Sequence, residues 1–314
     1  MSITGYIQIA RPDHWFKHIF MAPGVVLALF FDSGSATRGI WGRLVLGIAA
    51  ACLVASANYV LNEILDASRD RFHPGKKARP IPSGQVRLGA AWIQWLVLSA
   101  IGLGAGFAHS ATFGAMTALL WVMAAMYNVP PVRLKDAAYA DVLCESVNNP
   151  LRMAMGWYAT GTALVPPVSA LGAYWMFGAF LMAAKRLGEF RRIGDAAIAA
   201  RYRSSFGFYT EHRLIESIFF YASLFGMLSG VFIARYHVEL VLATPLVAYT
   251  MAYYLHLAFK PDSPVQYPEL LYRQQKLALL CVLTFAACVA LLFARIPALD
   301  RMLKPTPVRS GPAH

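Results

Sequence analysis

Long apolar stretches alternate with short polar ones through most of the chain. Nine of these are long enough to read as helices crossing a bilayer: residues 18–32, 42–62, 88–108, 111–128, 141–162, 167–184, 215–234, 238–257 and 276–294. Several fall short of the roughly 20 apolar residues that a hydrocarbon core requires, so their ends extend into the flanking polar residues. Ahead of them, residues 1–17 read as an interfacial segment in which Trp15, Phe16 and Lys17 lie at headgroup level. Residues 295–314 form a polar tail. The pattern predicts an all-α, polytopic membrane protein that forms a single helical domain over residues 1–314.

Composition agrees. Of the 314 residues 58% are hydrophobic and 14% charged, with a net charge of +12. Such a positive balance can signal nucleic acid, but here the basic residues sit in the loops, where membrane topology explains them and leaves no nucleic-acid role. The loops after the second, fourth, sixth and eighth spans carry most of the Lys and Arg, whereas the opposite loops hold Arg38, Arg43 and Arg235. The charge-rich side is therefore expected in the cytoplasm of a cell-membrane protein. Arg295, Arg301, Lys304 and Arg309 of the tail stand outside this asymmetry. Cys52, Cys144, Cys281 and Cys288 lie in or beside apolar runs and read as small buried residues, with neither disulfide nor zinc spacing.

The candidate chemistry lies on the charge-rich side. A helix turns about 100° and rises about 1.5 Å per residue. Asn58, Asn62, Asp66 and Asp70 therefore form a slowly drifting stripe about 18 Å long, and Glu63 lies about 20° beyond Asp70. Carboxylates leaving a membrane helix ahead of a cationic loop suit Mg²⁺, which is held by one or two carboxylates and by substrate phosphates. The loop that follows, HPGKKARPIPSG, supplies Lys76, Lys77 and Arg79 as clamps for a diphosphate.

Two further groups follow. On the fifth span Asp141, Glu145, Asn148 and Arg152 fall within about 60° of one another, a polar face that must line a cavity or pair internally. Pro150 predicts a break near Val147. After the sixth span, Lys185, Glu189 and Arg192 share a helical face on which Glu189 can hold Lys185 or Arg192, and Arg203, Tyr209 and Thr210 add charge and hydroxyls.

Together these blocks resemble the UbiA superfamily of intramembrane prenyltransferases. The first acidic motif of that family, Asn-Asp-x-x-Asp-x-x-x-Asp, matches NEILDASRD at Asn62, Asp66 and Asp70, with Glu63 in place of an Asp. The second, Asp-x-x-x-Asp, is met by Asp136 and Asp141 at a spacing one residue longer. Within the superfamily the chain is most similar to the polyprenyl-phosphate phosphoribosyltransferase branch, through RPDHWFKH, the NEILDASRD to HPGKKARPIPSG block, RLK, AAKRLGEF and YRSSFGFYT. ESVNNPLR departs from that branch. The resemblance implies a UbiA-like bundle of about nine helices around a cytoplasm-facing polar cavity. It implies Mg²⁺-dependent transfer of 5-phosphoribosyl from phosphoribosyl diphosphate to a polyprenyl phosphate. Asn62, Glu63, Asp66 and Asp70 would serve as metal and diphosphate ligands. Lys17, Asn58, Lys76, Lys77, Arg79, Lys135, Asp141, Glu145, Asn148, Arg152, Lys185, Arg186, Glu189, Arg203 and Tyr209 would contact substrate. Two other readings use the same residues: an aromatic polyprenyltransferase with a prenyl diphosphate donor, and a membrane transporter.

Overall fold

The computed structural model describes residues 3–36, 38–71 and 77–303, and among them every regular element is helical. In chain order they are α1 (Ile3–Ala10), α2 (Ala22–Phe31), α3 (Ile40–Asp70), α4 (Leu88–His109), α5 (Ala111–Asn128), α6 (Ala140–Ser146), α7 (Asn148–Ala159), α8 (Val168–Ile193), α9 (Ala196–Tyr202), α10 (Glu211–Tyr236), α11 (Thr244–Ala258), α12 (Gln275–Phe293) and α13 (Pro297–Met302). Tight 3-10 turns join several of them, the longest being Pro12–Met21 ahead of α2.

Among the described residues eight segments are long and apolar enough to cross a membrane. The ninth expected span, 141–162, is built as α6 and α7, with the break at Val147 where Pro150 required one. Pro150 sits in the first turn of α7, where its missing N–H costs no intrahelical bond. Residues such as Trp41, Ile93, Leu96, Phe219, Met227 and Leu279 leave large apolar surfaces exposed along the outside of the bundle, as a lipid-facing belt does. The protein is an integral membrane protein.

Two apolar clusters hold the bundle. One joins α3, α5 and α7 through Ala50, Val54, Phe113, Leu120, Leu151 and Met155. The other joins α8, α10 and α11 through Phe180, Leu187, Leu214, Tyr221 and Leu257. Between α2 and α7 contact is made backbone to backbone. A Cβ on Gly24 would lie 1.8 Å from the Met153 carbonyl oxygen, and one on Gly156 would lie 2.0 Å from the Met21 oxygen. This reciprocal contact sets α7 deep inside the bundle. Gly156→Ala is expected to lower stability by about 1–3 kcal/mol through overpacking, read as a fall in thermal midpoint of the detergent-solubilised protein.

With 31 residues, α3 is about 46 Å long, well beyond the ~30 Å hydrocarbon core. Its last turns, carrying Asp66 and Asp70, therefore project out of the apolar layer. Three non-glycine residues, Arg11, Arg133 and Tyr139, have positive φ (47°, 28° and 63°). All three lie at the charge-rich end, where such strain of about 1–3 kcal/mol each commonly marks a functional region.

The N-terminal segment is tied to α3. The Trp15 indole N–H donates to Ser56 Oγ at 2.9 Å, and Lys17 Nζ donates to the Tyr59 hydroxyl at 3.3 Å. These two donors fix the segment ahead of α2 against α3, while Trp15 and Phe16 stay exposed. Cys52 and Cys144 are buried as expected, but Cys281 is exposed and lines the cavity between the helices.

Candidate active site

A cavity of about 2130 Å³ runs between the two apolar clusters. Its walls along α2, α8, α10, α11 and α12 are apolar, with Leu27, Phe177, Phe225, Phe232 and Val247 among them. Its polar lining comes from Lys17, Asn58, Asn62, Glu145, Asn148, Asn149, Arg152 and Lys185. Polar groups from four distant stretches of sequence thus meet in one otherwise oily chamber.

The acidic stripe of α3 divides as it drifts around the helix. Asn58 and Asn62 face the cavity, and Asn58 Nδ2 donates to the Leu120 carbonyl at 3.2 Å. One turn on, Asp66 accepts from Lys135 Nζ at 2.7 and 2.8 Å and from Arg133 Nη2 at 2.8 Å. Lys135 also donates to Asn128 Oδ1 at 2.9 Å. Burial pulls the Lys135 ammonium below the ordinary lysine range, and the Asp66 carboxylate beside it opposes that shift.

Glu63 and Asp70, seven residues apart, both turn toward the loop that follows α3. Asp70 Oδ2 accepts from Arg79 Nη1 at 2.6 Å, and Glu63 Oε1 accepts from the Ile81 amide at 3.1 Å. Glu63 is only 3% exposed and does not line the cavity. It lies about 100° from Asn62 on the helix and about 20° from Asp70, and it anchors the returning loop through Ile81. Arg79, expected at a diphosphate, holds Asp70. Lys77 is exposed on the surface and Lys76 lies outside the described residues.

The second constellation also divides. Glu145, Asn148 and Arg152 line the cavity, whereas Asp141 is fully buried behind it. Asp141 accepts from Arg186 Nε at 2.9 Å, from the Tyr209 hydroxyl at 2.7 Å and from Ser205 Oγ at 3.3 Å, with Arg203 at 3.5 Å. Arg186 is 2% exposed and completes its fork on Glu189 at 3.1 Å. The Tyr209 oxygen in turn accepts from the Tyr139 amide at 2.6 Å. Burial and the negative charge of Asp141 push the Tyr209 hydroxyl well above the ordinary tyrosine range, which keeps it a donor. Asp141, Arg186, Glu189, Arg203 and Tyr209, expected to touch substrate, are joined in a network that fastens α6, α8 and the segment after α9 to one another. A helical wheel places residues on a face and does not show which neighbour that face meets. Lys185 does line the cavity, with Glu189 Oε1 4.0 Å from its Nζ. Arg192 pairs with the Tyr267 hydroxyl rather than with Glu189.

Arg133 and Asn128 join the functional candidates. Asn128 ends an apolar span, and Arg133 stands three residues ahead of Asp136, which it also binds at 2.9 Å.

For a metal, the described residues offer no group of three or more His, Cys, Asp or Glu side chains. That suits Mg²⁺ shared between protein and substrate, which needs only one or two carboxylates. Asp66 and Asp70 have the right donors. Both already hold cationic groups, so the region is built to neutralise positive charge at these oxygens. The donor set fits.

A lipid-sized chamber inside a membrane bundle, with Glu145, Lys17, Arg152 and Lys185 on its lining and with Asp66 and Asp70 outside that lining, paired to Arg133, Lys135 and Arg79, suits an intramembrane transferase. Residues 20–273 match the UbiA prenyltransferase family, and the chain belongs to that family. It is 28% identical over 218 residues to decaprenyl-phosphate phosphoribosyltransferase of Mycolicibacterium smegmatis, covering 68% of this chain and 64% of that protein. The protein of the same name from Corynebacterium glutamicum is 31% identical over 191 residues, covering 59% of this chain and 54% of the relative. Across the first curated relatives the matched length is between 35% and 64% of their own. A UbiA homologue from Archaeoglobus fulgidus, solved bound to DMAPP and Mg²⁺, superposes with a TM-score of 0.68, covering 91% of this chain and 98% of that one. At 17% identity this likeness establishes the fold.

Proposed function

We propose that the protein transfers 5-phosphoribosyl from phosphoribosyl diphosphate to a polyprenyl phosphate, giving polyprenylphosphoryl-phosphoribose and diphosphate. The observation that carries this reading is the distribution of cations. Arg79, Arg133 and Lys135 lie at the acidic stripe, while Lys17, Arg152 and Lys185 line the cavity separately. A prenyl diphosphate with a phenolic acid would bring one diphosphate and a single carboxylate to these two sets. Two phosphorylated substrates need both. The relatives named as phosphoribosyltransferases support the same choice.

In this scheme a non-bridging oxygen of the lipid phosphate attacks C1 of the ribose, the C1–O bond to diphosphate breaks, and its electron pair leaves with the diphosphate. The attacking oxygen is already anionic, so no general base is required. Asp66 and Asp70, with the Asn62 amide, would hold Mg²⁺ and through it the diphosphate. When bound, the metal offsets the charge that builds on the leaving group. Arg133 and Lys135, freed from Asp66, can turn to the same phosphates. The apolar walls keep water from competing at C1 and house the isoprenoid tail. We place the polar end in the cytoplasm, because the basic residues concentrate there.

Purified protein incubated with labelled phosphoribosyl diphosphate, polyprenyl phosphate and Mg²⁺ is expected to move label into the organic phase, and EDTA to abolish it. No lipid-phase label, together with prenylation of an aromatic acid from a prenyl diphosphate, would replace this reading with the aromatic prenyltransferase. Flux through proteoliposomes without any product would point to a transporter.

A further inference from the structure

Arg152 is a charged group without a counter-ion. It sits on α7, is 8% exposed and lines the cavity. Its Nε is buried without a hydrogen-bond partner, and among the described residues no carboxylate comes within ion-pair distance of it. Glu145 acts on it only from farther away, and Tyr59, Tyr174 and Cys52 are its other electrostatic neighbours. Beside it, His18 is also buried with both ring nitrogens unpartnered. Burying an unpaired guanidinium is costly, and the tight α2–α7 contact at Gly24 and Gly156 holds it there rather than letting it reach water. An arrangement of this kind is complete only with an anion in the cavity.

We infer that Arg152, assisted by Lys17, is the seat of a phosphate monoester, and that this phosphate is the lipid's. This inference rests on the phosphoribosyl reading and assigns one of its two substrates. Two sources could supply the phosphate: the polyprenyl phosphate, or the 5-phosphate of phosphoribosyl diphosphate. The cavity decides for the lipid. Beyond Arg152 the walls toward α2, α8 and α10 are apolar, with Leu27, Phe177 and Phe232 among them, so the seated anion is one that continues into an apolar chain. A ribose carried into those walls would leave its hydroxyls unmatched. The spacing also fits. Tyr59, the neighbour of Arg152 on α3, precedes Asp66 by seven residues, a rise of about 10 Å. That leaves room for a ribose between a diphosphate held at Asp66 and an attacking phosphate held at Arg152.

The test is ligand binding to the full chain in nanodiscs, using polyprenyl phosphate, the matching polyprenol, and phosphoribosyl diphosphate with Mg²⁺. The wild type is expected to bind the phosphate roughly ten- to a hundredfold more tightly than the alcohol, the range of a charge-assisted pair. Arg152→Met, which removes the charge and keeps the length, should erase that preference while leaving phosphoribosyl diphosphate binding within about threefold. Arg152→Lys should restore part of it, and its thermal midpoint reports folding independently. A wild type without preference for the phosphate overturns the inference, as does an Arg152→Met protein that keeps it. Loss of phosphoribosyl diphosphate binding in Arg152→Met would reassign the seat to the 5-phosphate. If instead the wild type prefers the lipid phosphate through Arg152 but transfers no phosphoribosyl group to it, the seat stands and the reaction assigned above fails.

Discussion

Asp66→Asn is expected to lower kcat/KM for phosphoribosyl transfer roughly a thousandfold and to raise the Mg²⁺ concentration needed for half-maximal activity. The side chain keeps its shape and loses its charge. Both effects follow from the position of Asp66, whose two oxygens are the meeting point of Arg133 and Lys135 from the segment after α5. With the carboxylate gone, the two cations remain and repel both a metal and one another. Part of the loss could come from a disturbed fold, because Lys135 is buried. A thermal unfolding curve separates the two. Asp66→Glu keeps the charge and is expected to recover metal response with a displaced optimum, whereas a merely structural role would leave the Mg²⁺ dependence unmoved. Full activity of Asp66→Asn in saturating Mg²⁺ would remove Asp66 from the chemistry.

How far the chain discloses itself differs between fold and site. The alternation of apolar runs was enough for a membrane bundle, and Pro150 was enough for the break at Val147, because both depend on local chemistry. The division of the acidic stripe was not legible. Asn58, Asn62, Asp66, Glu63 and Asp70 drift over about 140° of helix, and a drift of that size lets one stripe face three neighbours. Which neighbour each residue meets depends on where the loop after α3 returns and on where the segment after α5 docks. Both are long-range facts. Arg186 shows the same limit. Beside Lys185 in sequence, it reads as a second phosphate clamp, yet one helical step of about 100° turns it from the cavity to Asp141. Arg152 is the opposite case. Its place on a polar face was legible, but its lack of a partner became visible only once every neighbouring helix was in position.

Asp141→Ala is expected to destabilise the folded protein by about 3–5 kcal/mol, the usual cost of leaving one member of a buried ion pair alone. Asp141 is fully buried and is the common acceptor for Arg186, Tyr209 and Ser205. Its removal leaves the Arg186 guanidinium with Glu189 alone and the Tyr209 hydroxyl without its acceptor. Because those partners come from α8 and from the segment after α9, the loss would loosen the attachment of α6 to both. Glu145 lies one turn along α6 and Lys185 is the neighbour of Arg186, so the cavity lining would shift with them. The expected signature is a large fall in thermal midpoint for Asp141→Ala and a smaller one for Asp141→Asn, which can still accept from Tyr209. Activity measured below either midpoint should fall mainly through KM, as substrate contacts move out of place. An Asp141→Asn protein with unchanged stability and KM but abolished kcat would show that Asp141 acts on substrate directly, as the second acidic motif of the family would have it, and that the buried network seen here opens during the reaction.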